Sequence, residues 1–358
     1  MSHAVPSSTA GPIAPGVGVR RVADRPPASA AARLATDWSR SLRLAAPLLN
    51  APMGGVAGGR LASAVTAAGG LGMIGVGSAG SVELLQREAS IPTRDGRAFG
   101  IGLLDWAVAR EPLLLEAALE ASPVLISVSF GDGWTWADRV HRAGVVAATQ
   151  VANVEEARRA ADAGIDVLVA RGAEGGGHGS PEVGTLPLLE GVLDAVALPV
   201  LAAGGISTAR GVAAVLAAGA SGAWIGTAFA ACPESLASDT TRTALVAASA
   251  TDTVTTRVFD LALGHPWPDR FPERILRSEV WERWAGREEV LVADREEAAE
   301  LAAARALGTH GVAPVDAGQG VGGIAESLPA AAVVERLRSG AIELLQAWAT
   351  GPRTVGRG

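Results

Sequence analysis

The sequence predicts a (β/α)8 barrel, in which eight strands alternate with eight helices, and three observations support this prediction. From Leu42 onward, short apolar runs alternate with alanine-rich stretches of helical composition. The runs are continuously apolar, as expected of parallel strands that helices cover on both faces. Their first residues lie 21 to 32 positions apart, which is about the length of one strand–helix unit. Eight such units close naturally into a barrel.

The predicted strands follow one another along the chain at Pro47–Met53, Leu71–Val76, Phe99–Leu104, Val124–Phe130, Val145–Val151, Val167–Ala170, Pro199–Ala203 and Ala223–Phe229. Several predicted helices end in an alanine-glycine pair just before the next strand, because glycine accommodates the left-handed conformation at a helix C-terminus. These pairs are Ala68-Gly69, Ala143-Gly144, Ala163-Gly164 and Ala218-Gly219. An open, doubly wound parallel sheet is the alternative architecture for the same alternation.

Three further segments complete the predicted organisation. Residues 1–40 are rich in alanine, proline, glycine and serine with little apolar periodicity, which predicts a loose N-terminal arm. We expect residues 41–230 and 312–358 to form the barrel, with its last helix at Ala330–Trp348. Residues 231–311 are predicted to be a smaller, mainly helical lid inserted after the eighth strand.

The amino-acid composition excludes several kinds of partner and of chemistry. The chain has 358 residues, 49% of them hydrophobic, and 30 basic against 37 acidic residues, for a net charge of -7. Without a basic run, a nucleic-acid partner or an anionic membrane is not expected. All 30 basic residues are arginine, which excludes Schiff-base chemistry and a lysine-bearing phosphate loop. The single Cys232 excludes an intramolecular disulfide and a cysteine-based zinc cluster, and the histidine spacing predicts no metal site.

No secretory signal pattern is present in the sequence, and the longest uncharged stretch, 211–233, is interrupted by glycines that favour a helix, a turn and a strand over a membrane span. A cytoplasmic location is therefore the expectation. A single cysteine agrees with a reducing compartment.

Polar and glycine residues follow several predicted strands, where active sites of this fold lie. The first strand ends in Pro52-Met53-Gly54, and Gln150 lies on the fifth. Gly204-Gly205 follows the seventh strand and Gly226-Thr227 lies on the eighth. Loops after the seventh and eighth strands of such barrels commonly bind phosphate, which the N-termini of the following helices favour.

The sixth strand runs into a glycine cluster, Gly172–Gly179, which contains His178, one of five histidines. Glycine lets backbone N–H groups approach a flat ring or a phosphate closely, and imidazole is the side chain whose ordinary pKa lies near neutrality. His178 is therefore the candidate catalytic residue, and His265 of the lid is a candidate for substrate contact. The tryptophans near strand ends predict either an aromatic-lined pocket or ordinary core packing: Trp106, Trp134, Trp136 and Trp224.

These motifs, taken in order, resemble the nitronate monooxygenase family, formerly called 2-nitropropane dioxygenases. The resemblance runs from about residue 42 to the C-terminal helix and includes Thr255–Phe259 and Ala317–Gly320. It implies a TIM barrel that binds FMN without a covalent bond and carries a lid after the eighth strand. It also implies oxidation of an alkyl nitronate, a neutral nitroalkane or a related carbanion by O2 to a carbonyl compound and nitrite, with a homodimer as one assembly.

The resemblance further implies the roles of individual residues. His178 either removes the α-proton of a nitroalkane or stabilises the anionic nitronate. Contacts to the cofactor are implied for Pro52, Met53, Gly54, Gln150, Gly176, Gly177, Gly204, Gly205, Gly226, Thr227, Gln319 and Gly320. The chain departs from the family pattern at Gly102, Leu104, Arg171 and Ala228, which leaves the substrate open.

Two alternatives from other functional classes stay open at this point. One is a flavin-dependent enoyl-acyl-carrier-protein reductase, which would consume NADH or NADPH. The other is a flavin-binding protein without catalytic activity.

Overall fold

The computed structural model of the chain describes residues 34–307 and 313–350, so most of the predicted arm lies outside the described residues. Eight parallel strands form one sheet in the described part: β1 (Leu48–Asn50), β2 (Gly72–Gly75), β3 (Phe99–Leu104), β4 (Leu125–Ser129), β5 (Val146–Val151), β6 (Val167–Arg171), β8 (Val200–Ala203) and β9 (Gly222–Ile225). The two-residue strand β7 (Gly177–His178) belongs to a second sheet.

The parallel sheet is a barrel rather than an open sheet. Its strand order is β1-β9-β8-β6-β5-β4-β3-β2, and a parallel bridge between Leu49 and Leu71 joins the two ends. The backbone N–H of Leu71 donates to the carbonyl of Leu48 at 2.9 Å. The predicted barrel is therefore confirmed, and the doubly wound alternative is wrong.

Helices alternate with these strands as expected. α1 (Asp37–Ser41) precedes β1 and α10 (Thr227–Ala230) follows β9, and between the barrel strands lie α2 (Gly59–Ala67), α3 (Val82–Arg94), α4 (Asp105–Arg110), α5 (Leu113–Glu120), α6 (Ala137–Arg142), α7 (Val154–Asp162), α8 (Thr185–Ala195) and α9 (Ala209–Ala217). Gly69, Gly144, Gly164 and Gly219 all have positive φ directly after a helix, which is the capping conformation that the alanine-glycine pairs predict.

The first and last barrel strands are shorter than the sequence pattern indicates. Strand β1 ends at Asn50, whose side chain joins it to β2: the amide donates to the carbonyl of Met73 at 2.8 Å, and the side-chain carbonyl accepts from the Met73 N–H at 2.8 Å. Strand β9 stops at Ile225, and the apolar residues after Gly226 form α10 instead of continuing the strand. Their burial against the barrel explains why they look like a strand in the sequence.

A buried cluster of alternating strand residues fills the barrel interior, separate from the larger core between strands and helices. Leu49, Met73, Val169 and Leu201 belong to it, and α1 adds Trp38. Trp224 lies in this cluster with 3% of its surface exposed, so it is a core residue.

The segment after β9 contains α11 (Asp239–Ala247), β10 (Thr253–Thr256), α12 (Val258–Leu263), β11 (Glu273–Leu276), α13 (Glu279–Trp284), α14 (Glu288–Ala293) and α15 (Arg295–Leu307). The charged stretch of this segment, residues 279–307, is divided among α13, α14 and α15. The barrel's last helix is α16 (Ala330–Thr350). Among the described helices, we find none with the length and apolar character that crossing a membrane requires.

Strands β10, β11 and β7 form a three-stranded antiparallel sheet that the sequence did not predict. Glu273 is the register partner of His178, and Arg274 is the partner of Gly177. The glycine cluster after β6 is thereby hydrogen-bonded to the segment that follows the barrel strands.

Candidate active site

The loops after β6, β8 and β9 meet the segment Ala317–Gly320 at the carboxyl ends of the barrel strands. The N–H of Gly318 donates to Thr227 Oγ1 at 3.0 Å, and the N–H of Gln319 donates to the carbonyl of Glu174 at 2.9 Å. Ser207 Oγ donates to the carbonyl of Gly320 at 2.5 Å. The structure thus brings together the predicted cofactor residues of four separate segments.

Close backbone packing explains why these loops need glycine. A Cβ on Gly176 would lie 2.5 Å from the nitrogen of Gly318, a separation that real Cβ atoms do not tolerate. Gly204 has a φ of +116°, which favours glycine. We call the backbone surface of Gly176, Gly204, Gly205, Gly226 and Gly320 the glycine wall.

The end of β1 lies close to the glycine wall. Met53 Sδ lies 3.6 Å from the position that a Cβ on Gly226 would occupy, and Gly54 packs directly on the backbone of Gly77. A Cβ on Gly102 would lie 2.3 Å from Pro52 Cγ. The departure from the family pattern at Gly102 therefore has a steric reason, since this glycine makes room for Pro52.

The arrangement fits a flat ring that carries a phosphate. Gly54, Gly176 and Gly205 are exposed at the strand ends. Because glycine has no side chain, a ligand can approach the backbone of these residues closely. Thr208 caps the N-terminus of α9 directly after the β8 loop, and helix N-termini favour phosphate. Gln150 lies apart on β5, half-buried, with its backbone N–H donating to Ser129 Oγ at 3.1 Å.

Arg171 shapes the glycine cluster from beneath. Its Nη2 donates to the carbonyls of Gly175, Gly176 and Gly177 at 2.7, 3.1 and 3.0 Å. Burial, and secondarily the nearby Arg274, lower the pKa of Arg171 to about 10, so the side chain is still a cation at neutral pH. The sequence identified Arg171 only as a departure from the family pattern.

Glu174 is a structural residue of this loop. Its carboxylate accepts hydrogen bonds from the backbone N–H and the hydroxyl of Thr185, each at 2.8 Å to Oε2. Because Thr185 begins α8, the carboxylate satisfies one of the free N–H groups at that helix N-terminus.

His178 lies in the same loop but points toward residues of the segment after β9. Its Nε2 is 2.9 Å from Asp260 Oδ2 and 3.0 Å from Oδ1. The Trp267 ring stacks on the imidazole, with 3.6 Å between centroids and 4° between planes. The side chain of His178 is only 9% exposed, and that of Asp260 is 1% exposed.

Sequence reasoning missed Asp260 and Trp267. The available signal for Asp260 is that it is the one charged residue in the otherwise apolar helix Val258–Leu263. His265, which the sequence suggested for substrate contact, lies beside this pair, with its backbone N–H donating to the carbonyl of Asp260 at 3.0 Å.

An aromatic cluster surrounds the histidine. Trp267 makes edge contacts with Trp106 at 5.8 Å and with Phe130 at 5.0 Å between centroids, and Phe130 contacts Phe271 at 5.4 Å. Trp106 therefore lines an aromatic surface as one sequence hypothesis proposed. The other three tryptophans do not share these ring contacts: Trp134 lies beneath Arg159, Trp136 is buried in the outer core and Trp224 is inside the barrel.

His178, Asp260 and Glu273 also form a group of potential metal ligands, with one ligand atom of each within 4.8 Å of the others. The sequence predicted no metal from residue spacing. These three residues are distant in the chain, so spacing could not have tested their proximity.

The barrel, the glycine wall and the histidine beside it are the features of a flavin-dependent oxidoreductase. A family model described as nitronate monooxygenase matches residues 112–340. The chain belongs to the nitronate monooxygenase family.

Two curated relatives differ in their names. A (3aS,4S,5R,7aS)-5-hydroxy-7a-methyl-1-oxo-octahydro-1H-indene-4-carboxyl-CoA dehydrogenase of Mycobacterium tuberculosis is 34% identical over 256 residues, covering 70% of this chain and 68% of the relative. A nitronate monooxygenase of Paraburkholderia phytofirmans is 30% identical over 348 residues, covering 81% of this chain and 91% of the relative.

Two solved structures are similar over most of the chain. FabK from Thermotoga maritima has a TM-score of 0.76 at 29% identity, covering 87% of this chain and 97% of that one. Nitroalkane oxidase from Streptomyces ansochromogenes has a TM-score of 0.73 at 29% identity, covering 87% of this chain and 99% of that one.

Proposed function

We propose that this chain binds FMN and oxidises alkyl nitronates with O2 to a carbonyl compound and nitrite. The single observation that supports this proposal most strongly is that Gly176, Gly177 and His178 are consecutive. The chain that forms part of the glycine wall therefore continues directly into the one titratable ring of the loop. The relatives named nitronate monooxygenase and nitroalkane oxidase agree with this assignment.

FMN would be held by backbone groups and one hydroxyl. Gly204, Gly205, Gly226, Thr227 and Gly320 would surround the phosphate, and the other cofactor residues of the sequence analysis would contact the ring: Pro52, Met53, Gly54, Gln150, Gly176, Gly177 and Gln319. When bound, the flavin supplies the redox chemistry, while the protein supplies position and charge.

His178 would act on the nitro or nitronate group. With a neutral nitroalkane, the imidazole would accept the α-proton; with a nitronate, it would donate a hydrogen bond to the anion. The aromatic surface of Trp106 and Phe130 beside it suits the alkyl part of such a substrate.

A second candidate is reduction of an enoyl thioester with NADH or NADPH. The 34% identical relative supports the thioester substrate of this candidate, since its name specifies a carboxyl-CoA compound, but that relative is named a dehydrogenase. Both reactions use the same glycine wall, so the geometry of the cofactor residues does not separate them. A non-catalytic flavin-binding protein is the third candidate.

Anaerobic stopped-flow spectroscopy of the flavin-loaded protein tests these candidates. We expect propyl nitronate to bleach the flavin absorbance rapidly, and nitrite to form when O2 is admitted. Rapid and productive reduction by NADPH would contradict the proposal and support the second candidate. If no substrate bleaches the flavin, the third candidate is favoured, and chromatography of the heat-released cofactor identifies FMN in each case.

A further inference from the structure

Two residues of the segment after β9 fix the position of the His178 ring. Asp260, on α12, lies 82 positions further along the chain and places both carboxylate oxygens within 3.0 Å of Nε2. Trp267 covers one face of the ring in parallel at 3.6 Å. A half-turn of the imidazole would keep the stacking but would place Cε1 instead of Nε2 against Asp260, so the hydrogen bond selects this orientation of the ring.

The hydrogen bond also fixes which nitrogen carries the proton. An ionised carboxylate can only accept, so the Nε2 that lies between both oxygens of Asp260 must be the donor. Asp260 is 1% exposed, and a buried carboxylate without a hydrogen-bonded partner is costly. In the neutral imidazole the second nitrogen, Nδ1, then carries the lone pair and is the ring nitrogen that can accept a proton.

We propose that Asp260 is a positioning residue that holds the Nε2 proton of His178, so that Nδ1 is the atom that exchanges a proton with the substrate. The proposal rests on the proposed function, because it names how the histidine of that site works. Trp267 keeps the plane of the ring in place, and the hydrogen bond to Asp260 selects its orientation within that plane.

The proton transfer balances without any further reactant. The C–H bond of a neutral nitroalkane breaks, its electron pair moves into the nitro group to give the nitronate, and the proton bonds to Nδ1. The imidazolium that forms lies 2.9 Å from Asp260 Oδ2, which stabilises its positive charge. A preformed nitronate has no such proton to lose, so its oxidation needs Asp260 much less.

The tautomer can be observed directly by 15N NMR of the flavin-loaded enzyme with labelled histidine, in which His178→Asn identifies the signals of that ring. At a pH where the ring is neutral, we expect a protonated Nε2 and an unprotonated Nδ1 in the wild type. The Asp260→Asn variant should populate the opposite tautomer, because an amide can donate to Nε2. A wild-type ring protonated at Nδ1 would overturn the proposal.

Kinetics provide a second test, in which a purely structural role of Asp260 would not change the ratio of kcat for the two substrates. We expect Asp260→Asn to lower kcat for nitroethane by about 100-fold, while kcat for preformed ethyl nitronate changes by only a few fold. The matched control is Asp269→Asn, since Asp269 is 87% exposed and pairs with Arg257. Equal losses on both substrates, or no loss on either, would overturn the proposal.

The outcomes of these two tests can be distinguished from a failure of the proposed function. If the wild type oxidises neither substrate, the proposed function is wrong, and the NMR spectrum still decides the role of Asp260. If Asp260→Asn does not fold, as judged by circular dichroism and flavin content, the wild-type tautomer alone decides.

Discussion

The ring of Trp267 lies flat on the imidazole of His178, with 4° between the two planes. Stacking at this distance leaves no space for a substrate between the rings, so a substrate must reach the imidazole from its edge or from its other face. This contact contributes to the low exposure of His178. Trp267 therefore controls access to the candidate catalytic residue.

Replacing Trp267 by alanine should uncover His178 and loosen the aromatic cluster. We expect faster modification of His178 by diethylpyrocarbonate, and a loss of about 3–5 kcal/mol in the free energy of unfolding from the lost packing. Peptide mapping and urea denaturation measure the two effects. The matched control is Trp348→Ala, since Trp348 is 89% exposed on α16 and should change stability by no more than about 0.5 kcal/mol.

Replacing His178 by alanine should lower kcat for the nitroalkane by about 100- to 10,000-fold, because general acid–base groups contribute on that scale. Flavin content should stay near the wild-type value, since the glycine wall consists of backbone. His141→Ala is the control, because His141 lies on α6 and pairs with Asp166 away from the site. Unchanged turnover in His178→Ala would remove this residue from the mechanism.

Gly176→Ala should weaken flavin binding, because its Cβ would clash with the backbone of Gly318 and separate the two loops. We expect a stability loss of about 1–3 kcal/mol from this overpacking, together with a lower flavin content after purification. A Cβ on Gly133 meets no atom within 4 Å, so Gly133→Ala is the control. Full flavin content in Gly176→Ala would contradict the assigned cofactor surface.

Arg171→Met should destabilise the glycine cluster, because three carbonyl groups lose their common donor. Leaving even one buried carbonyl unsatisfied costs about 1–3 kcal/mol, so a decrease of at least that size is expected in urea denaturation. Arg171→Lys should recover only part of it, since an ammonium cannot reproduce the planar arrangement of guanidinium donors. A neutral outcome for both variants would show that the cluster holds its shape without this cation.

Cys232 should make stability fall at alkaline pH. Burial, with a smaller effect of Glu234, raises the pKa of this thiol from 9.0 to about 12. The unfolded chain therefore loses its thiol proton first, and the contribution of the protonated thiol is lost as pH rises from 9 toward 12. The difference in unfolding free energy between wild type and Cys232→Ala should decrease over this range, whereas a constant difference would contradict the raised pKa.

The barrel and the glycine wall could be predicted because both depend on short-range features. Eight apolar runs and the glycines after them are visible in windows of a few residues. The surroundings of His178 could not be predicted from the sequence, because a two-residue strand inside a glycine cluster has no alternating pattern. Its pairing with β11 and its contact with Asp260 join residues about 80 to 95 positions apart. The role of Arg171 likewise becomes clear only when the loop folds around it.

The antiparallel pairing of His178 with Glu273 has an evolutionary consequence. A deletion or insertion of one residue in β11 would shift its register and turn every side chain of that strand to the opposite face of the sheet. Such a change would disturb the surroundings of the histidine, because Glu273 is its register partner. Among relatives that share this pairing, length variation should therefore be confined to the loops on either side of β11.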